Sequence, residues 1–133
     1  MREIYSKYRD RAVFLTIYIK EAHPTDEWQM ASNEKEGVCY RQPKTLADRI
    51  AIASDFVARF HYDLPVAVDD IDNRANELYA GWPERIYIVD ASGRIVYKGE
   101  PGPFGYHPEE METWLESHAA SPDPSRAPSR PLL

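Results

Sequence analysis

A carboxylate and an imidazole stand close together in the segment Glu21-Ala22-His23-Pro24. The segment follows the apolar run Val13-Phe14-Leu15-Thr16-Ile17-Tyr18-Ile19, whose β-branched and aromatic residues predict a strand buried on both faces of a parallel sheet. Ligands of open α/β sheets bind just past the carboxyl ends of the strands. We therefore expect Glu21 and His23 to lie at a ligand site, where a histidine that titrates near neutral pH is suited to donate a proton.

A guanidinium group stands at the start of a second predicted strand. The segment Trp82-Pro83-Glu84-Arg85 leads directly into another apolar run. Because arginine offers a planar, permanently charged fork of donors, Arg85 and His23 are the expected polar walls of one site. The structural alternatives are a loop histidine satisfied by its surroundings and a salt bridge of Arg85 with Glu84 or Asp90.

Three aromatic residues, Trp28, Tyr79 and Trp82, accompany these segments. Aromatic rings at a binding site stack on the rings of a ligand, and the same side chains contribute strongly to protein cores. We expect core packing for at least two of the three.

Neither a cysteine nucleophile nor a metal site is predicted. Cys39 is the only cysteine, which excludes an intramolecular disulfide, a Cys-x-x-Cys redox motif and a thiolate metal cage. It stands in an irregular segment without a helix start or a base nearby, so we expect it to be inert. The acids Asp69, Asp70 and Asp72 lack the spacing and the glycine of a calcium loop, and their pattern favours capping and turn formation.

The composition predicts one small domain without a nucleic-acid or membrane partner. The chain has 133 residues, 43% apolar content and a formal net charge of −6, with its acids scattered along the sequence. No segment has the apolar length of a membrane span, and the N-terminus lacks a signal-peptide pattern. We expect a cytoplasmic protein whose domain comprises residues 1–118, followed by a disordered, Pro/Ser-rich tail at residues 119–133.

Helices, strands and turns alternate along the domain. The patterns predict the end of a helix at residues 2–9, a strand at 13–19, an irregular insertion with one short helix at 23–44 and a helix at 46–61. They then predict a strand at 65–69, a brief helix at 74–79, a hairpin at 86–97 and a last helix from residue 108 onward. Thr45 and Asn73 are the predicted N-caps of two of these helices. The expected buried stripe of the longest helix is Leu46, Ile50, Ala53, Phe56, Val57 and Phe60.

This order resembles the thioredoxin arrangement, a βαβ half followed by a ββα half, without its first strand and most of its first helix. The residues also carry a family resemblance. The segment from Phe14 to Trp28 is similar to the Tyr-Ile-x-Glu-Ala-His-x-x-Asp-Gly-Trp segment of the iodothyronine deiodinases, with Glu27 where the animal enzymes carry glycine. Further matches in register are Leu46-Ala47-Asp48-Arg49, Val68-Asp69-Asp70-Ile71-Asp72-Asn73, Pro83-Glu84-Arg85-Ile86-Tyr87-Ile88, Gly93-Arg94-Ile95-Val96-Tyr97-Lys98-Gly99, Gly102-Pro103-Phe104-Gly105-Tyr106 and Trp114-Leu115-Glu116.

The resemblance implies an α/β, thioredoxin-like fold, truncated at its N-terminus, with a cis peptide bond between Trp82 and Pro83. It implies that His23 and Arg85 hold the hydroxyl and the ring of an iodothyronine-like phenol, and that Glu21 orients groups of the site or supplies a proton. The expected substrate site also includes Trp28 and Pro83. His23 and Arg85 are then expected to approach within roughly 10 Å at the carboxyl end of the sheet.

The family's reactive residue has no counterpart in this sequence. It is a selenocysteine, or a cysteine in some members, in a Ser-Cys-Thr-Sec-Pro-Pro-Phe loop at a helix N-terminus, where the helix dipole helps to keep it ionised. We therefore expect a bacterial-type, soluble member that lacks this loop, read from a frame downstream of a selenocysteine codon. The resemblance implies an external thiol reductant and no bound cofactor.

Three functions follow as expectations. The first is a deiodinase-family oxidoreductase that removes iodide or another halogen from an iodothyronine-like aromatic substrate. The second is a non-catalytic thioredoxin-like module or truncated translation product, and the third is a thiol or peroxide reductase when the protein is full length. The expected partners are a small halogenated aromatic substrate, a thiol reductant and a second copy of the chain, because an unpaired sheet edge favours association.

Overall fold

The computed structural model describes residues 1–27, 30–37 and 39–118 of the chain. Its helices and strands follow the predicted order, which is confirmed. They are α1 (Arg2–Tyr8), β1 (Thr16–Tyr18), α2 (Ala31–Glu36), α3 (Leu46–Phe60), β2 (Val66–Val68), α4 (Arg74–Tyr79), β3 (Tyr87–Val89), β4 (Ile95–Lys98) and α5 (Pro108–His118). The tail predicted at residues 119–133 lies outside the described residues.

The described strands form two separate pairs. β1 and β2 are parallel, with Ile17 opposite Ala67, and α3 connects them. β3 and β4 are antiparallel, and Gly93 adopts a positive φ of 84° in the turn between them. Only glycine takes this conformation without steric cost, so the predicted hairpin turn is confirmed.

One face of β1 is uncovered. Thr16 and Tyr18 are half-buried, and the Tyr18 ring packs against Phe56 of α3 with 5.8 Å between ring centroids. Successive side chains of a strand point to opposite faces, and on the other face Val13 is 78% exposed and Leu15 60% exposed. The prediction that this run is buried on both faces is therefore wrong, because no described element covers its second face.

The first and last described helices pack together on the hairpin. The buried core consists of Ile4, Tyr8, Ile86, Met111 and Leu115. Lys7 also donates to Glu112 and Glu116 at 2.9 Å each. Exposed ion pairs of this kind contribute little to stability, so the apolar contacts are the main link between α1 and α5.

α3 begins as predicted but buries a different stripe. The Thr45 hydroxyl accepts a hydrogen bond from the Asp48 amide at 3.1 Å, so the predicted cap is confirmed. Leu46 and Ile50 of the predicted stripe are exposed, whereas Arg49 is buried with Ala53. The spacing of apolar residues predicted the wrong buried positions at Leu46 and Ile50, because a buried arginine does not belong to an apolar pattern.

Arg49 and Asp69 join α3, β2 and α4. Arg49 donates to the Asp69 carbonyl at 3.2 Å and to the Asn73 side chain at 2.8 Å. The Asp69 carboxylate accepts from the amides of Ala75 and Asn76, at 2.8 and 2.9 Å. The predicted cap on α4 is therefore corrected from Asn73 to Asp69, because the Asn73 oxygen is used by Arg49. The capping interpretation of this acidic segment is confirmed at Asp69.

Candidate functional site

Two loops meet beside the carboxyl end of β1. Ile19 Cδ1 lies 3.8 Å from the position that a Cβ at residue 81 would occupy. Lys20 Nζ lies 5.9 Å from the centroid of the Trp82 ring. The Trp82–Pro83 peptide bond is cis, as predicted, and Pro83 is half-buried. The structure thus brings the segment of Glu21 and His23 next to the segment that leads to Arg85.

Glu21 is half-buried and accepts a hydrogen bond from the Tyr18 hydroxyl at 2.6 Å. Burial raises the pKa of the Glu21 carboxyl, while the Tyr18 hydrogen bond and the charge of Arg49 act in the opposite direction. Burial, followed by the bond to Glu21, also raises the pKa of the Tyr18 hydroxyl. A carboxyl with a raised pKa retains a proton closer to neutral pH, which is what an acid catalyst requires.

Gln42 fixes the backbone at Glu21 from the far end of the irregular insertion. Its side-chain oxygen accepts from the Glu21 amide at 3.0 Å, and its side-chain nitrogen donates to the Glu21 carbonyl at 3.2 Å. The Gln42 amide in turn donates to Asp26 at 2.8 Å, and this bond is the main cause of a lowered pKa at Asp26. The sequence gives no signal for this contact, because a loop glutamine has no periodicity and the two residues are distant along the chain.

His23 is half-buried and precedes Pro24, one of the most buried residues of the chain. The turn behind it is tied to the insertion by a hydrogen bond from the Thr25 amide to the Tyr40 carbonyl at 2.8 Å. Its approach to Arg85 and its shared orientation with Glu21 stay predictions. Trp28, the remaining residue predicted on this segment, lies outside the described residues.

Arg85 is held by backbone carbonyls. Its Nε donates to Gly99 at 2.6 Å and one terminal nitrogen donates to Ala80 at 3.3 Å. Among the described residues no carboxylate lies within ion-pair distance of Arg85, and Asp90 pairs with Arg94 instead. The alternative of a salt bridge to Glu84 or Asp90 is therefore wrong for this part of the chain. Within residues 1–27, 30–37 and 39–118, the second terminal nitrogen makes no hydrogen bond.

Three aromatic side chains stand close to Pro83 along the chain, and we refer to Tyr79, Trp82 and Tyr87 together as the exposed aromatic surface. Tyr79 is 41% exposed and Trp82 is 40% exposed. Tyr79 contacts Tyr87 edge-to-face with 5.2 Å between ring centroids, and the Arg85 guanidinium lies 5.8 Å from the Tyr87 centroid. The expectation of core packing for at least two of the three predicted aromatic residues is wrong, because these two remain at the surface.

Comparison with known proteins assigns the family. The family model for iodothyronine deiodinase matches residues 1–119. The chain belongs to the iodothyronine deiodinase family. The predicted α/β, thioredoxin-like fold is the fold of this family and is confirmed.

Individual members of the deiodinase family agree with this assignment. The type I iodothyronine deiodinase of Xenopus laevis is 38% identical over 114 residues, which cover 86% of this chain and 43% of that protein. The thyroxine 5-deiodinase of Sparus aurata is 38% identical over 122 residues, with 88% and 42% covered. The type II iodothyronine deiodinase of Rattus norvegicus is 35% identical over 121 residues, with 88% and 44% covered. The chain therefore spans less than half the length of these deiodinases.

Two further observations concern the described part of this deiodinase-family chain. None of the helices within it is long and apolar enough to cross a membrane. Within the same residues, no group of three or more His, Cys, Asp or Glu side chains is arranged to hold a metal ion.

Proposed function

We propose that this chain takes part in the reductive removal of iodide from an iodothyronine-like phenol. Its membership of the deiodinase family supports the reaction class. The observation that carries the proposal is the meeting of the loop after β1 with the cis-proline loop, at Ile19 and Gly81 and at Lys20 and Trp82. This meeting supports a shared site for His23 and Arg85.

In this proposal Arg85 binds the phenol oxygen through its unshared terminal nitrogen, and His23 donates a proton to the ring carbon. Glu21, with its raised pKa, orients His23 or resupplies the proton. Pro83 and Trp28 are the further residues that we propose for substrate binding. These roles use residue types suited to them, since arginine stays charged and histidine exchanges protons near neutral pH.

The reaction balances with an external thiol reductant. A selenolate or thiolate takes the iodine as the carbon–iodine bond breaks, and the ring carbon takes a proton. Two thiol molecules then reduce the selenium–iodine or sulfur–iodine bond, releasing iodide and forming a disulfide. No residue of this sequence matches the Ser-Cys-Thr-Sec-Pro-Pro-Phe loop of the family, so we propose that a segment of that type supplies the nucleophile. The single cysteine and the thiol reductant favour a reducing, cytoplasmic setting.

Joining a Ser-Cys-Thr-Cys-Pro-Pro-Phe segment and its strand to the N-terminus tests the proposal. We expect thiol-dependent iodide release from the joined protein and none above background from the 133-residue chain, because a nucleophile is required. His23→Ala in the joined protein is expected to lower turnover about 10²–10⁴-fold. His107→Ala is the matched control, since His107 is exposed and pairs with Glu109. Turnover by the 133-residue chain that survives Cys39→Ser would contradict the proposal.

The uncovered face of β1 favours a second candidate, a non-catalytic thioredoxin-like module that associates with itself or another chain. Val13 and Leu15 expose apolar surface there, and such surfaces mark interaction sites or unstable fragments. If the joined protein reduces peroxides but not iodothyronines, the thiol or peroxide reductase function replaces deiodination.

A further inference from the structure

Lys20 and Trp82 form a contact between the two loops that the proposed reaction does not use. The Lys20 ammonium lies 5.9 Å from the Trp82 ring centroid, at the outer limit for a cation–π interaction, and the ring is 40% exposed. The neighbouring Glu21 carboxyl is bound by the Tyr18 hydroxyl. Across the described parts of the chain, no carboxylate lies within ion-pair distance of Lys20, although the net charge is −6.

We propose that Lys20 and Trp82 form a subsite for the carboxylate-bearing end of an aromatic ligand. One ring of the ligand stacks on Trp82, and its carboxylate pairs with the Lys20 ammonium. The inference rests on the proposed function, because it assigns the other end of the same ligand, while Arg85 binds the phenol oxygen.

Charge complementarity selects this ligand class. The Lys20 ammonium lies beside the Trp82 ring and the Arg85 guanidinium beside the Tyr87 ring, and neither cation has an ion-pair partner among the described residues. An iodothyronine carries a phenol at one end and a carboxylate at the other, so it places one oxygen group at each cation. A phenol without a carboxylate gives Lys20 no anion to bind. The subsite is therefore expected to bind a phenol that carries a carboxylate more tightly than one that does not.

The test compares two ligands that differ only in charge. These are a diiodinated 4-(4-hydroxyphenoxy)phenylpropanoate and the corresponding propanamide, each titrated into the 133-residue chain and followed by amide NMR shifts. We expect the propanoate to bind about two- to fivefold more tightly at low salt, the range of an exposed ion pair. The preference should decrease as salt screens the pair. Equal affinities, or no binding of either ligand at about 1 mM, overturn the proposal.

Variants assign the effect to the two residues. Lys20→Gln should abolish the carboxylate preference and Lys20→Glu should reverse it, whereas Lys98→Gln, an exposed lysine of β4, should preserve it. Trp82→Phe should retain binding of both ligands, and Trp82→Ala should weaken both about two- to tenfold through lost stacking. A preference that persists in Lys20→Gln overturns the proposal, and so does full affinity in a folded Trp82→Ala.

A third ligand separates this inference from the proposed function. The methyl ether of the propanoate keeps the carboxylate but prevents ionisation of the phenol and places a methyl group on the oxygen that Arg85 is proposed to bind. If the ether binds as well as the phenol while the carboxylate preference remains, the phenol site fails and the Lys20 subsite stands. If the phenol is preferred but charge has no effect, the Lys20 subsite alone fails.

Discussion

Glu21 is controlled by two opposing effects that act on one carboxyl group. Burial raises its pKa, and the Tyr18 hydroxyl, which donates at 2.6 Å, limits that rise by stabilising the charged form. Between the ordinary glutamate pKa and the raised folded value, the folded state binds more protons than the unfolded state. Stability therefore falls as pH rises through this window.

Tyr18→Phe is predicted to raise the pKa of Glu21 further, because it removes the donor and leaves the burial. The measurement is a pH titration of the Glu21 carboxyl carbon by NMR, together with urea unfolding across the same pH window. Tyr97→Phe is the matched control, since that hydroxyl donates to Glu110 at 2.7 Å and not to Glu21. A Glu21 pKa that stays constant or falls in Tyr18→Phe contradicts this account.

Arg49 is a second residue whose hydrogen bonds are expected to contribute to the stability of the fold. Arg49 is 1% exposed, and its guanidinium donates to the Asp69 carbonyl and to the Asn73 side chain. Removing it leaves buried acceptors without a donor. Arg49→Ala is therefore predicted to lower the free energy of unfolding by about 3 kcal/mol, measured by urea denaturation.

Arg59→Ala is the control for Arg49→Ala, because Arg59 is an exposed arginine of the same helix that donates to the Gly37 carbonyl at 2.9 Å. Its loss is expected to cost less than about 1 kcal/mol. Equal costs for the two variants would show that the buried network around Arg49 does not stabilise the fold as argued.

The sequence predicted which loops meet at the candidate site, but not the residues that support them, and the roles of His23 and Arg85 stay predictions. The position of the Glu21 and His23 segment was predictable because the end of a strand is a local signal, whereas the cis bond before Pro83 was predictable only from the family resemblance. Gln42 and Arg49 were not, because each acts on a partner that is distant along the chain. The exposure of Trp82 could not be read from its type either, since the same ring suits a core or a surface.

At the scale of elements, the insertion between β1 and α3 acts as a support for the candidate site. Gln42 binds both backbone groups of Glu21, while Tyr40 donates to Asp55 on α3 at 2.9 Å. The insertion is thus fixed at one side to the helix and at the other to the loop after β1.

Gln42→Ala is predicted to increase amide hydrogen exchange at Glu21 about tenfold, because a hydrogen bond of ordinary strength to the Gln42 side-chain oxygen protects that amide. NMR exchange rates measure it directly. Tyr40→Phe removes a bond of the same insertion that does not contact Glu21, and should leave the Glu21 rate unchanged. Equal exchange at Glu21 in wild type and Gln42→Ala would mean that the amide is protected in another way.

The element predictions succeeded where turn and cap chemistry is local, as at Thr45 and in the hairpin turn at Gly93. They failed for the burial of side chains, because burial depends on which other elements pack against a strand or helix. The run from Val13 to Ile19 predicts a strand from its composition, but only the surrounding elements decide whether its faces are covered.

At the scale of the whole molecule, the described strands leave open edges. The Thr16 amide donates to the Pro65 carbonyl and the Tyr18 carbonyl accepts from the Asp69 amide, so both residues form hydrogen bonds on the β2 side of β1. The amide and carbonyl of Ile17 therefore face the opposite edge of β1, where no described strand pairs. Together with exposed Val13 and Leu15, this edge is a template for pairing with another strand.

The 133-residue chain is therefore predicted to associate as its concentration rises, as measured by size-exclusion chromatography with light scattering. Leu15→Lys should increase the monomer fraction, because a charge beside an open edge opposes pairing. Leu78→Lys is the control, since Leu78 is more exposed than Leu15 but lies on α4. A chain that is monomeric at every concentration, or an equal effect of both variants, would argue against association through this edge.

The two strand pairs differ in how much chain must be ordered before they form. β3 and β4 are joined by a tight turn, whereas the pairing of Thr16 with Val66 closes a loop that contains the whole insertion and α3. Loop-closure entropy makes such distant pairings slow to form. We therefore expect the hairpin and α5 to fold early and the β1–β2 half to join late. The half that carries Lys20, Glu21 and His23 would then also be the part that opens first under native conditions.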